Sequence, residues 1–166
     1  DNETLMQLIC EQLDIDYDDI KGKLPDPDEA KTSINDAQNA LNGVVAYATT
    51  PGKDAEKAVV RKGLTKALDA CTDNPNKAFL LTLLRNCGEA EDAPVFVKYL
   101  NDEYLAEWAI SGLTTIDGTE EVLLDLMKKD AAPKAMLAHA AGIKKMTSAD
   151  NKTVTLVYIS SSWQSN

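Results

Sequence analysis

From Thr4 to Leu13 the apolar residues Leu5, Leu8, Ile9 and Leu13 recur on one stripe of a 3.6-residue period, which predicts an amphipathic helix. An acidic stretch, Asp14 to Asp19, and Leu24-Pro25-Asp26-Pro27-Asp28 interrupt it. The two prolines bar a helix there, and Asp28 is placed to cap the next one. From Glu29 to Thr49 the helical period returns, with Ile34, Ala37, Leu41, Val44, Val45 and Ala48 pointing inward. Thr50-Pro51-Gly52 ends that run, and Asp54 is expected to cap a helix reaching about Cys71. The last stretch, Thr153 to Trp163, is open to two readings. Its β-branched Thr153, Val154, Thr155, Val157 and Ile159 favour an extended arm that docks through Trp163, whereas its place in the pattern favours a helix beginning near Asp150.

Beyond Asp73 the pattern repeats. The segments 73–101 and 102–129 lie over each other with Phe79 on Trp108, Leu84 on Leu113 and Cys87 on Ile116, each 29 positions apart. A third copy from Asp130 pairs Gly112 with Gly142, Leu113 with Ile143 and Ile116 with Met146, 30 apart. Read backwards, Ala40, Gly43, Val44 and Tyr47 fall on Ala109, Gly112, Leu113 and Ile116. Each unit reads as a helix, a turn, a second helix and an acidic residue opening the next. A lone unit of that kind cannot bury its apolar face, so stacking on neighbours must supply the core.

The run Leu84-Arg85-Asn86-Cys87-Gly88, then Asp92-Ala93-Pro94-Val95, then Tyr99-Leu100-Asn101-Asp102 resembles the short bacterial HEAT repeat. That repeat has Ala-Leu-x-x-Ile-Gly, an early Pro in the second helix and a closing Leu-x-Asp. The following unit departs from it, with Asp117-Gly118-Thr119 as its turn and Leu123 in the place of the proline. The likeness covers Ile34 to Met146 and is weaker at both ends. It implies an all-α chain, 1–166 as one right-handed α-solenoid of antiparallel helix pairs. Its divisions would be an N-terminal helix and acidic loop (1–28), helix-pair repeats at 29–72, 73–101, 102–129 and 130–160, and a tail (161–166). The chain is also similar to HEAT segments that accompany sugar-hydrolase-like domains in bacterial envelope proteins. That likeness implies a periplasmic or envelope location, with the cytoplasm as the alternative.

Composition narrows the function classes. At 44% hydrophobic but only 5% aromatic residues, Leu, Ala and Val carry the packing. A formal charge of -10 opposes general nucleic-acid binding, which needs a basic face against phosphate, and opposes an anionic membrane surface. No apolar run reaches the roughly 20 residues of a membrane helix. The start on Asp1-Asn2-Glu3-Thr4, without Met, reads as a processed or trimmed form. Cys10, Cys71 and Cys87 form no CxxC pair, so neither a disulfide framework nor a zinc site is written here. Each sits in an apolar helical context where a thiol acts as a small hydrophobe.

Candidate chemistry is sparse. Asp14, Asp16 and Asp18 alternate as in a calcium-binding EF-hand loop, but Asp19 stands where that loop needs Gly and Pro25 where it needs a bidentate Glu. A solvated turn accounts for the same residues. His139, the one histidine, must carry any His-dependent scheme. Lying 30 after Ala109, it is expected to be half-buried, with no carboxylate, thiol or hydroxyl beside it in sequence. Glu103 with Glu107, and Glu121 with Asp125, are like charges at i,i+4 that mark solvent-facing sides. Gly112 and Gly142 inside helices point to close helix approach. No catalytic constellation emerges, and no cofactor is expected.

Surface recognition remains. The helix after Asp54 carries Lys57, Arg61, Lys62 and Lys66, and later second helices add Lys98, Lys128 and Lys129. Aligned across repeats, these would form a cationic ridge for a carboxylate-rich protein partner or an acidic glycan. Unaligned, they are ordinary solvated lysines balanced by Glu56 and Asp69. The expectation is therefore a non-catalytic protein-binding or scaffold module, docking a partner or an adjacent domain of the same polypeptide. Two alternatives differ in class. Bilin lyases use these same repeats, and that reading requires a polar pocket with His, Cys and acidic groups together. A carbohydrate-associated accessory domain requires exposed aromatics, for which Tyr99, Tyr104 and Trp108 are the clustered candidates.

Overall fold

The computed structural model describes residues 2–14, 16, 18 and 30–146, with 2, 3, 5, 6, 13 and 30–36 described by backbone alone. The proline-bearing acidic loop, its Asp28, and the Thr153–Trp163 stretch lie outside them. All regular structure in the described residues is helical, in agreement with the all-α expectation. The eight helices are α1 (Asn2–Leu13), α2 (Ala30–Ala48), α3 (Asp54–Ala70), α4 (Asn74–Cys87), α5 (Ala93–Val97), α6 (Ala106–Thr115), α7 (Glu120–Lys128) and α8 (Lys134–Ile143), with a 3-10 turn at Ala90–Asp92. None is long and apolar enough to cross a membrane. They form two compact units, 1–87 and 88–166; the division falls within the segment 73–101.

In the first unit, α3 packs against α1, α2 and α4, and α2 also meets α4. The inward face of α3 is Val60, Gly63, Leu64, Ala67 and Leu68, the i, i+3, i+4 pattern of an amphipathic helix. On α2, Leu41, Val45 and Ala48 are buried and Val44 half-buried, as their period predicts. The repeat alignment fails on this helix. It sets Ala40, Gly43 and Tyr47 on buried positions, whereas all three are exposed, Tyr47 at 54%. The burial pattern of α2 matches that of α6 when read one residue later, and a slip of one residue turns a helical side chain by about 100°.

The second unit packs α5 against α6, α6 against α8 and α7 against α8. Pro94 stands in the first turn of α5, where its missing N–H costs nothing. Phe96 of α5 is fully buried against Gly112 of α6, and an added Cβ at Gly112 would lie 2.1 Å from the ring. Gly112 thus lets two helices approach closely. Gly142 is exposed, as is Ile143 at 55%, so the 30-residue offset is corrected. Burial in α8 follows an offset of 28 instead, pairing Ala109 with Leu137 and Leu113 with Ala141. The 29-residue offset holds its burial: Leu80 and Ala109, Leu84 and Leu113, and Cys87 and Ile116 are all buried.

The acidic helix starts differ. Asp73 accepts a hydrogen bond from the Asn76 amide at 3.0 Å, and Asp102 accepts from Tyr104 and Leu105 at 2.9 and 2.8 Å. Asp54 is instead the first helical residue, preceded by Lys53 as the cap with no side-chain bond. Asp130 ends α7 rather than opening α8. It holds φ of 50° while the Ala131 amide reaches back to the Leu126 carbonyl at 3.0 Å. Lys145 does the same after α8, with φ of 50° and the Met146 amide donating to the Ala141 carbonyl at 3.1 Å. Both are left-handed helix exits that usually take glycine.

Candidate functional site

The predicted cationic ridge separates into parts. Lys57, Arg61, Lys62 and Lys66 all lie on α3, but helical geometry splits them. Lys57 and Arg61 follow each other at i,i+4 on one flank and are half-buried. Lys62 and Lys66 face outward and are exposed, joined there by Val59, which is 48% exposed. The sequence pattern alone allowed that division, since Lys62 lies about 100° around the helix from Arg61. Lys98 caps the C-terminus of α5 and Lys128 is the last residue of α7; both are exposed and belong to the second unit. Lys129, beside it, pairs with Asp125 at 2.9 Å.

At the start of α3, the Lys53 ammonium lies 4.9 Å from the centre of the exposed Tyr47 ring and 3.7 Å from Glu56. Hydrogen bonding and charge from Tyr47, reinforced by Glu56, hold the Lys53 pKa above the ordinary lysine value. Tyr47, Lys53 and the α3 face therefore give the first unit an exposed aromatic, an exposed apolar side chain and several cations.

The acid–base candidates do not converge. His139 is exposed on α8 rather than half-buried, because burial there follows the 28-residue offset. No group of three or more His, Cys, Asp or Glu among the described residues is placed to hold a metal ion. The calcium-like stretch is described only at Asp14, Asp16 and Asp18, all exposed, where the Asp18 amide donates to Asp16 at 2.9 Å. Cys10 and Cys87 are buried, and burial raises the Cys10 pKa. Cys71 sits in extended backbone past the end of α3 and is half-buried, so its helical context is corrected.

A cleft in the first unit is lined by Ile9, Leu41, Val44, Val45, Val60, Gly63, Leu64 and Leu83, and contains about 240 Å³ of space, part of it open to solvent. Its walls are entirely apolar. The His, Cys and acidic groups that a bilin site requires are not among them, and the space inside, about 10 Å³, holds about one water and no larger ligand. Tyr104 and Trp108 stack at 5.6 Å between ring centres and 10° between planes. Tyr104 is 45% exposed and Trp108 half-buried.

One polar cluster escaped the sequence reading. The Lys144 ammonium donates to the carbonyls of Ile116 at 2.7 Å and Thr114 at 3.3 Å, at the C-terminal end of α6. Its side chain is only 5% exposed, with Glu120 at 3.7 Å. The buried Thr119 hydroxyl donates to the Leu113 carbonyl and to that of Ile116 at 3.2 Å. Three terminal carbonyls of one helix are thereby satisfied by side chains. The signal available in sequence was a lysine 28 residues after Ile116, in the register that also aligns Leu137 with Ala109.

Comparison with protein-family models, with curated proteins and with solved structures finds no match.

Proposed function

We propose that this chain is a non-catalytic binding module whose helices stack as a HEAT-like, right-handed α-solenoid, and that the outward face of α3 is its contact surface. The carrying observation is that Val59 stands half-exposed on the same face as the exposed Lys62 and Lys66, in a chain of net charge -10. An apolar contact ringed by cations fits a carboxylate-rich protein segment: the apolar residue supplies burial, and the lysines supply attraction and register. Tyr47 and Lys53 extend the same chemistry in the first unit. The repeat reading is supported by the matched burial of α4 and α6 at 29 residues.

The test is photo-crosslinking from a reactive residue at position 59 in native lysate and envelope fractions, with the exposed Ala131 as control position. An acidic protein captured from 59 but not from 131, and lost in Lys62→Glu/Lys66→Glu, is the expected result. Equal capture from both positions, or capture that survives the charge reversal, overturns the reading.

A second reading is favoured by the stacked Tyr104–Trp108 pair, whose partly exposed rings fit a sugar ring laid against them. Titration with neutral oligosaccharides, followed by Trp108 fluorescence in a Trp163→Phe chain, should saturate there and not after Tyr104→Ala is added. A flat titration in the Trp163→Phe chain rejects it.

A further inference from the structure

The outward face of α3 is cationic, and one strip of the second unit carries the opposite charge. On the flank of α3, Lys57 and Arg61 already interact within the chain, whereas no described residue pairs with Lys62 or Lys66. Of the acidic residues on that helix, Glu56 is held by Lys53 at 3.7 Å and Asp69 has a partner of its own. Lys62 and Lys66 thus stand one helical turn apart as two exposed like charges, with the exposed Val59 one turn before them.

In the second unit the Ala106 amide donates to the Asp102 carbonyl at 3.1 Å, so helical turns begin at Asp102 and run into α6. Glu103 and Glu107 are therefore one turn apart. Tyr104 and Trp108 form the adjoining row, about 100° further round the axis. Both glutamates are exposed, and no described residue pairs with either. Beside them the Tyr104 ring, 45% exposed, is stacked on Trp108.

The two strips match in kind and in spacing. Each holds two like charges at i,i+4, which repel one another, and each sets an exposed apolar group beside them. Contact between the strips offsets both repulsions with attraction across the interface, and it removes Val59 and Tyr104 from water. A net charge of -10 opposes the meeting of two copies. At physiological ionic strength the screening length is about 8 Å, so charges outside the strips count for little and the local complementarity wins. Within one chain both strips are exposed, so neither covers the other.

We infer that the outward face of α3 in one copy docks on the Glu103–Trp108 strip of a second copy. The inference rests on the α3 face as the contact surface and identifies its carboxylate-rich partner as this chain itself.

The test is sedimentation of the full chain over a concentration series at about 0.15 M salt. The average mass should rise with concentration and fall back when salt is added. Lys62→Glu/Lys66→Glu should stay monomeric. So should Glu103→Lys/Glu107→Lys, although it brings the net charge closer to zero. An equimolar mixture of these two variants should associate again, because each supplies the charge that the other's strip now lacks. Tyr104→Ala, which keeps every strip charge, should weaken association about tenfold. Photo-crosslinks from position 59 in the purified chain should fall on residues 103–108. A native chain that is monomeric at every concentration overturns the inference, as do crosslinks that fall elsewhere on the chain. A variant mixture that stays monomeric while the native chain associates overturns it too. If the native chain is monomeric while position 59 still captures a different acidic protein, lost in Lys62→Glu/Lys66→Glu, the second copy is rejected and the α3 surface stands.

Discussion

The second unit closes its core with polar side chains and one interlocked ring, whereas the first closes its core with hydrocarbon and leaves a cleft. Asp92, Thr119 and the Lys144 side chain, polar or charged groups buried among the described residues, all belong to the second unit. There Lys144 and Thr119 satisfy the last carbonyls of α6, and Phe96 fills the space that Gly112 leaves. In the first unit α1, α2, α3 and α4 meet around Ile9, Val44 and Leu64 without polar groups, beside a cleft with room for about one water. Similar helical patterns are thus held in two ways. Hydrocarbon contacts tolerate imperfect fit, while an interlocked ring and directed hydrogen bonds do not.

The largest expected effect tests that tolerance with single carbon groups. Gly112→Ala should destabilise the second unit by about 3 kcal/mol in urea unfolding followed by Trp108 fluorescence in a Trp163→Phe background, because the fully buried Phe96 ring cannot yield. Phe96→Leu in the same chain should recover part of that loss. A gain of about 1 kcal/mol, the amount that helix propensity alone gives Ala over Gly, would break the comparison. Adding a carbon to the first unit should do little. Val44→Ile, growing into the cleft, should leave stability within about 1 kcal/mol of the native chain, read from protection of the Cys10 and Cys87 thiols during urea unfolding. A loss as large as that of Gly112→Ala would show the cleft to be as tightly fitted as the ring contact.

Next in size is the polar cap. Lys144→Met removes the donor from the Ile116 and Thr114 carbonyls and should cost about 2 kcal/mol, as should Thr119→Val at the neighbouring carbonyls. A double-mutant cycle in denaturant should show coupling between the two, since both donate to Ile116. The smallest effect concerns the helix exits. Lys145→Gly should stabilise by about 0.5 to 1 kcal/mol in thermal unfolding, since an L side chain in the left-handed region is strained. Asp130→Gly should gain less, because Asp tolerates that region and its side chain lies 3.8 Å from Lys134.

Reading the helices from the chain succeeded where a face was set by local period. Leu41, Val45 and Ala48 were legible as core because their spacing is a property of one helix. Matching helix to helix was less secure, as Tyr47 and Ile143 show. Tyr47 is one residue out of register and Ile143 two; each still looks apolar in sequence, yet about 100° or 200° of rotation takes it off the buried side. The cationic candidates were legible as a group on α3. Their division between a flank and an outward face was also in the numbers, but the exposure of Val59 beside Lys62 and Lys66 was not, since exposure depends on what α3 packs against.

By itself the sequence determined the helical class, the approximate limits of α1, α2 and α3, the breaks at Pro51-Gly52 and Asp117-Gly118, and the place of Pro94 in a first turn. These follow from backbone sterics and from a period of 3.6 residues, both of which act within a few residues of chain. Tertiary structure alone decided that Phe96 meets Gly112, that Lys144 reaches the carbonyls of Thr114 and Ile116, and that α8 keeps an apolar side uncovered by the other described helices. Each of these joins or separates residues on different elements. No local rule carries that information, because it arises only when several helices compete for the same buried space.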